Sequence, residues 1–327
     1  MADERTKNAI SRIDAHRARK LGEMLVTHGS EFHEPQAVLF DLAGQDARQL
    51  LATYHRSRSS FATSPFDPQG GKLRFAERGY TIWSGYPGAG KTTALRQLIC
   101  HLLHNGSKVF VASFEEHPVD VIVHLAGVAF GSEVPTVQQL QWFIDFYAGE
   151  LRIWGMIGVA KHVQILGTIQ QLAKEGVKQV MLDSLMCLDV NSQDFEGQRV
   201  FANLLNSIAI ESNVHIHLVA HPRKALSVEQ EADINDVAGG ADFGRLAHNV
   251  VFVRRQKAMS NTAIPDVNGM QIAVRKQRYG SGFIGNIDGW LNRRIRQFKA
   301  DQFDQLPTQY LPKQAYDDAS CADQERP

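Results

Sequence analysis

Tyr80-Thr81-Ile82-Trp83-Ser84-Gly85-Tyr86-Pro87-Gly88-Ala89-Gly90-Lys91-Thr92-Thr93 is the stretch that decides how this chain folds. Its first residues, Tyr80–Trp83, form an apolar, strand-like run, and Thr93–Leu103 reads as a helix. Between them lies a loop with the phosphate-binding pattern, in the strand-to-helix context that the pattern requires. Glycines at 85, 88 and 90 let the backbone turn so that the N–H groups of the loop, with Pro87 and Ala89 between them, and the helix N-terminus at Thr93 face phosphates. Lys91 is expected to reach the β- and γ-phosphates, and Thr92 to place its hydroxyl on Mg²⁺. The expected ligands are ATP, or another nucleoside triphosphate, and Mg²⁺.

Working outward, such a loop needs a carboxylate on a neighbouring strand to hold the metal through its water shell. Val180-Met181-Leu182-Asp183-Ser184 supplies one, with Asp183 as the expected magnesium residue. A plain helix-capping Asp is the alternative. The run Val109–Phe114 ends in Glu115-Glu116. In an open parallel sheet the chemistry lies beyond the carboxyl ends of the strands, so a glutamate there can orient and deprotonate an attacking water. A solvated helix start explains the same pair equally well. His215-Ile216-His217-Leu218-Val219-Ala220 is another strand, ending at His221-Pro222-Arg223-Lys224. Two histidines at i and i+2 without a third ligand argue against a metal site, and His221 at the strand tip is placed to sense the γ-phosphate. Cys100-His101-Leu102-Leu103-His104 reads as packed helix surface.

Further apolar runs at Asn249–Arg254 and Gln271–Lys276 complete an alternation of strands and helical segments. That alternation predicts an α/β fold: a RecA-like P-loop NTPase core with a largely parallel sheet flanked by helices. The expected organisation is a helical arm and linker over 1–72, a motor domain over 73–298 and a flexible acidic tail over 299–327. Within the arm, Arg5–Leu25 and Gln36–His55 carry helical patterns, followed by a Ser-, Pro- and Gly-rich breaker from Ser57 to Gly71. Lys+Arg and Asp+Glu balance at 35 each, so any nucleic acid must be held by local basic clusters. Three scattered cysteines without a CxxC pair argue against a disulfide framework or a zinc ribbon and suit a reducing cytoplasm, bacterial or phage-infected, with an organellar location left open. No apolar run reaches the roughly 18 residues of a membrane span, and the N-terminus has no signal-peptide pattern.

Over about residues 75–298 the chain resembles the motor domain of DnaB-type hexameric replicative helicases, most nearly the Twinkle and phage helicase-primase branch. The likeness rests on the order of five elements: the phosphate loop, Ser113-Phe114-Glu115-Glu116, Leu182-Asp183-Ser184-Leu185, His221-Pro222-Arg223-Lys224, and Val274-Arg275-Lys276-Gln277-Arg278-Tyr279-Gly280. The resemblance implies Glu115 as general base, and Lys276 and Arg278 as basic fingers entering the ATP site of an adjacent subunit. It also implies a ring, hexameric in the family, around single-stranded DNA at a replication fork. Arg223, Lys224, Gly239 and Gly240 are the expected DNA contacts, through basic side chains and free backbone N–H groups.

Two departures qualify the likeness. Glu231 and Asp242 bring negative charge to the second loop region, so no DNA role passes to Asp242. No primase-like segment or zinc-binding cysteine cluster precedes the motor, so a separate primase or polymerase is the expected partner. Gln36–His55 is read as a linker helix that packs on a neighbouring subunit. Two other classes compete: a RecA- or KaiC-like ATPase acting in recombination or regulation without unwinding, and a ring using ATP only as an assembly ligand. Intact Lys91, Thr92, Glu115 and Asp183 disfavour the last.

Overall fold

The fold was analysed in a computed structural model that describes residues 61–67, 69, 71–188, 194–222, 232–237, 240–256, 264, 266–279 and 282–324. The helical patterns at Arg5–Leu25 and Gln36–His55 lie outside the described residues, as do Arg223, Lys224 and Gly239.

The strands are β1 (Ala62–Thr63), β2 (Arg74–Phe75), β3 (Gly79–Ser84), β4 (Lys108–Ser113), β5 (Leu151–Ile153), β6 (Val177–Asp183), β7 (His215–Val219), β8 (Asn249–Arg255), β9 (Val267–Gln277), β10 (Gly285–Asn292) and β11 (Gln297–Lys299). The helices are α1 (Lys91–His104), α2 (Pro118–Phe130), α3 (Val137–Tyr147), α4 (His162–Lys174), α5 (Phe195–Glu211), α6 (Gly240–Leu246) and α7 (Lys313–Gln324). One large sheet has the order β11-β10-β9-β8-β3-β7-β6-β4-β5. From β5 to β8 every neighbour is parallel, and β9, β10 and β11 continue it antiparallel. The sheet is thus mostly parallel and flanked by helices, as the alternation of elements predicts.

Both faces of the sheet are buried, which is why its strands read as continuous apolar runs. Val109 and Val111 point to one face with Trp83, Met181, Val219 and Val251, where α1, α2 and α3 pack. Phe110 and Ala112 point to the other with Ile82, Val180, Leu182 and Leu218, covered by α4, α5 and α6. Helix α1 contributes Ala94, Leu95, Leu98, Ile99 and Leu102, a stripe at helical spacing. Helix α2 begins with Pro118 at its first position and with the His117 side chain accepting from Val119 N–H, and it stops at Gly131 in the left-handed region. A capping box of Thr136 and Gln139 opens α3.

Two expected boundaries cut through packed structure. The Ser57–Gly71 breaker contains Phe66, which is 1% exposed and packs edge-on against Trp83 and Phe298. The stretch expected to be a flexible tail is anchored by Tyr310, Leu311 and Ala315, all buried in the same core. Gln97 Nε2 donates to Tyr310 Oη (3.2 Å), and Tyr316 Oη accepts from Tyr310 N–H (2.8 Å) and donates to Ala129 O (2.7 Å). A few apolar anchors with satisfied hydroxyls outweigh the acidic composition of this segment. Among the described residues, no helix is long and apolar enough to cross a membrane.

Candidate active site

The phosphate loop leaves the carboxyl end of β3 and feeds directly into α1. Gly85 has φ 145° and sits so close to β8 that an added Cβ would lie 2.2 Å from Val253 O, so only glycine fits. Gly90, with φ 95°, is the N-cap of α1; no side chain caps the helix and no acidic residue occupies its first turn. Its N–H donors and the positive end of its dipole are therefore directed toward an anion. Lys91 is 8% exposed, and its ammonium donates to Gly85 O (2.6 Å) and Tyr86 O (2.8 Å). Burial lowers its pKa, while the nearby carboxylates of Asp183 and Glu115 pull it back up.

Asp183 ends β6, beside β4, with Ser113 as its register partner. Thr92 and Asp183 line one small cavity of about 30 Å³ beneath the loop. Burial first, then the charges of Glu115 and Glu116, raise the Asp183 pKa to about 6, against the opposing pull of Lys91 and Arg96. A hydroxyl and a buried carboxylate with too little compensating charge suit a hard divalent cation such as Mg²⁺.

Glu115 and Glu116 take different roles in the fold. Glu116 is half-buried, paired with the Arg96 guanidinium and 3.3 Å from His124 Nδ1. Glu115 is exposed at the end of β4, and its carboxylate accepts from Ser184 and Cys187. Of the two, Glu115 is the carboxylate with room for a water. His221, just past β7, is half-buried; burial lowers its pKa, Lys91 lowers it further and Glu115 raises it, which sets the ring beside both. The strand tips thus bring Lys91, Glu115, Asp183 and His221 together.

The buried histidines of β7 are structural. His217 accepts from Trp83 Nε1 (3.1 Å) and lies 3.0 Å from Gln179 Oε1, and His215 bonds Thr81 Oγ1 (2.7 Å) and Ala76 O. With both ring nitrogens engaged and burial depressing both pKa values, each is a neutral core residue. No group of three or more metal-ligating His, Cys, Asp or Glu side chains occurs among the described residues. In α1, His101 meets Thr63 Oγ1 (2.8 Å) and His104 meets Tyr310 O (3.0 Å), again as packing.

Lys276 and Arg278 lie at the opposite end of the sheet. Arg278 N–H donates to His248 O, and His248 N–H to Tyr80 O, so Arg278 is level with the start of β3 and two strands away. Gly85 is five residues further along, which at strand spacings puts Arg278 roughly 19 Å from its own phosphate loop. Its side chain is exposed. Lys276 differs from what the resemblance implies: its ammonium donates to Gly244 O (2.9 Å) and Arg245 O (2.6 Å), capping the C-terminal carbonyls of its own α6, and burial lowers its pKa to about 8. Gly240 is the first residue of α6.

The structure adds residues that the sequence reading passes over. A cleft of about 430 Å³ beside the loop is lined by Arg96, Arg255, Arg293 and Arg296 together with Lys91, Thr93 and His124. Arg255 ends β8, and Arg293 and Arg296 occupy the turn joining β10 to β11. The basic run Arg293-Arg294-Ile295-Arg296 was the available signal.

No family model and no curated protein sequence matches this chain. Among solved structures, the ATPase domain of a DnaB-like helicase aligns with a TM-score of 0.62 at 16% identity, covering 78% of this chain and 98% of that one. A DnaB-like replicative helicase, solved in a study of its interactions with primase, aligns with a TM-score of 0.60 at 15% identity, covering 88% of this chain and 76% of that one. At these identities it is the architecture that is shared: this chain has the RecA-like fold of the ATPase domains of DnaB-like replicative helicases.

Proposed function

We propose that this protein is a ring-forming, ATP-dependent DNA helicase that couples ATP hydrolysis to translocation on single-stranded DNA and to duplex unwinding. The observation that carries this reading is the split of the catalytic set. Lys91, Glu115, Asp183 and His221 meet at one end of the sheet, while the exposed Arg278 lies roughly 19 Å away at strand spacings, out of reach of its own loop. Such a site is completed only when another copy brings its arginine.

In this account Lys91 leaves the loop carbonyls for the β- and γ-phosphates. Glu115 takes a proton from the attacking water, and His221 senses the γ-phosphate and passes its presence to the chain that follows. Thr92 and Asp183 would hold Mg²⁺, which neutralises phosphate charge when bound. Arg278 of the adjacent copy meets the charge that develops on the γ-phosphate. Lys276, tied to α6, fixes the strand from which Arg278 projects. Gly240 opens α6 beside the loop that carries Arg223, Lys224 and Gly239, the candidate grip on DNA phosphates; the partners this reading implies are single-stranded DNA and a separate primase.

The test is unwinding of a forked duplex by the full chain with ATP and Mg²⁺, alongside particle imaging. Strand displacement that requires hydrolysis, by ring-shaped particles, is expected. Filament formation or strand exchange without fork unwinding would overturn the reading in favour of a RecA-like recombination ATPase.

A further inference from the structure

Glu115 stands exposed on the segment after β4, where a long carboxylate side chain ordinarily samples several rotamers. Two donors restrain it, and both engage the same oxygen: Ser184 Oγ lies 3.3 Å and Cys187 Sγ 3.6 Å from Glu115 Oε1. Their placement follows from the fold. Register pairs Ser113 with Asp183, and Phe114 N–H donates to Asp183 O (2.9 Å), so the residues that follow, Glu115 and Ser184, lie side by side. Leu185–Cys187 then forms a 3₁₀ turn, with Cys187 N–H donating to Ser184 O (3.1 Å). In such a turn side chains three apart eclipse one another, which brings the thiol over the hydroxyl. Ser184 is 1% exposed, so its hydroxyl has little choice of partner.

We propose that Ser184 and Cys187 are positioning residues that engage Glu115 Oε1 and so present Oε2 as the basic oxygen to the attacking water. This rests on the reading of Glu115 as general base. Glu116 cannot take over, because Arg96 holds it. In the step served, the water oxygen bonds to the γ-phosphorus as its proton passes to Oε2. The bond from phosphorus to the bridging oxygen breaks with its electron pair on the leaving diphosphate, and Glu115 later returns the proton to solvent. Burial raises the Cys187 pKa, so the thiol keeps its proton and remains a donor. Donors to a carboxylate favour its ionised form, so the clamp also keeps Glu115 ready as a base toward lower pH.

The experiment measures steady-state ATP turnover of the full chain against pH for Ser184→Ala, Cys187→Ala, the double variant and Cys187→Ser, each in parent and Glu115→Gln backgrounds, with thermal unfolding alongside. The double variant should lose about tenfold in kcat, the scale of hydrogen bonds to a charged group, with KM for ATP unchanged. Its acidic limb should move to higher pH. Cys187→Ser, which keeps a donor, should stay near the parent, and none of the changes should matter once Glu115 is Gln. If Cys187→Ala fails to fold, Ser184→Ala alone carries the kcat and pH tests. A double variant with parental kcat and an unmoved acidic limb, or Cys187→Ser as impaired as Cys187→Ala, overturns the clamp. A fully active Glu115→Gln would sink the general-base reading and the clamp with it, whereas an inactive Glu115→Gln beside unaffected clamp variants sinks the clamp alone.

Discussion

Replacing Asp183 with Asn tests whether this buried carboxylate is held in readiness for a cation. Its pKa rises from 3.8 to about 6, through burial first and then the charges of Glu115 and Glu116. A folded-state pKa above the unfolded one means that the group's contribution to stability is fully present below about pH 4 and is lost as pH rises through about 6. Above that window the ligand-free fold carries an ionised group it disfavours, at a cost of at most about 3 kcal/mol: roughly two units at about 1.4 kcal/mol each. Asparagine keeps the shape and removes the charge. Asp183→Asn should therefore be more stable than the parent at neutral pH by about 1–3 kcal/mol, with the difference vanishing near pH 4, while ATP turnover collapses. Urea unfolding at the two pH values, with and without Mg²⁺ and ATP, measures this. Mg²⁺ with ATP should stabilise the parent strongly and the variant weakly. Equal stability of the two proteins at neutral pH, or equal stabilisation of both by Mg²⁺ with ATP, would refute the argument.

Other consequences can be checked one by one. Glu115→Gln should bind ATP and lose turnover, since an amide cannot take a proton, whereas Glu116→Gln, which releases Arg96, should affect turnover less; the reverse ranking in a turnover assay would move the base to Glu116. Phe66→Ala should cost about 3–5 kcal/mol in urea unfolding, because its ring is packed between Trp83 and Phe298; a loss under about 1 kcal/mol would detach this segment from the core. Arg223→Ala with Lys224→Ala should weaken single-stranded DNA binding about equally across sequences and flatten its salt dependence, with basal ATPase retained. An unchanged salt slope in a binding titration would place the DNA grip elsewhere.

Much of the site was legible because phosphate chemistry is written locally. The glycines, Lys91 and Thr92 lie within one short loop, and Glu115, Asp183 and His221 each follow an apolar strand, so pairing of the strands suffices to gather them. What escaped notice depends on tertiary placement. Strand β10, Gly-Asn-Ile-Asp-Gly-Trp-Leu-Asn, interrupts its apolar residues with Gly, Asp and Asn, so its pattern hid a strand and, with it, the arginines of the following turn that line the cleft. Phe66 was masked by the breakers around it, and Tyr310 and Tyr316 by acidic neighbours, although a few anchors bury both segments. The histidines of β7 show the converse: their alternation marks a strand face, but only the bonds to Trp83, Gln179 and Thr81 reveal that the face is core.

The central claim, that catalysis belongs to the contact between copies, is tested most directly by mixing two inactive variants. Arg278→Ala should bind ATP and fail to hydrolyse it, and Lys91→Ala should fail for want of its phosphate contact. In mixed assemblies some Arg278→Ala subunits with intact loops sit beside Lys91→Ala subunits that still offer an arginine, so those sites regain both parts. Because loss of such a finger lowers turnover on the order of 10³-fold or more, even a small restored fraction stands clear of either variant alone. Partial recovery of ATPase on mixing is the predicted result; mixed assemblies with proven subunit exchange and no activity above the separate variants would contradict it.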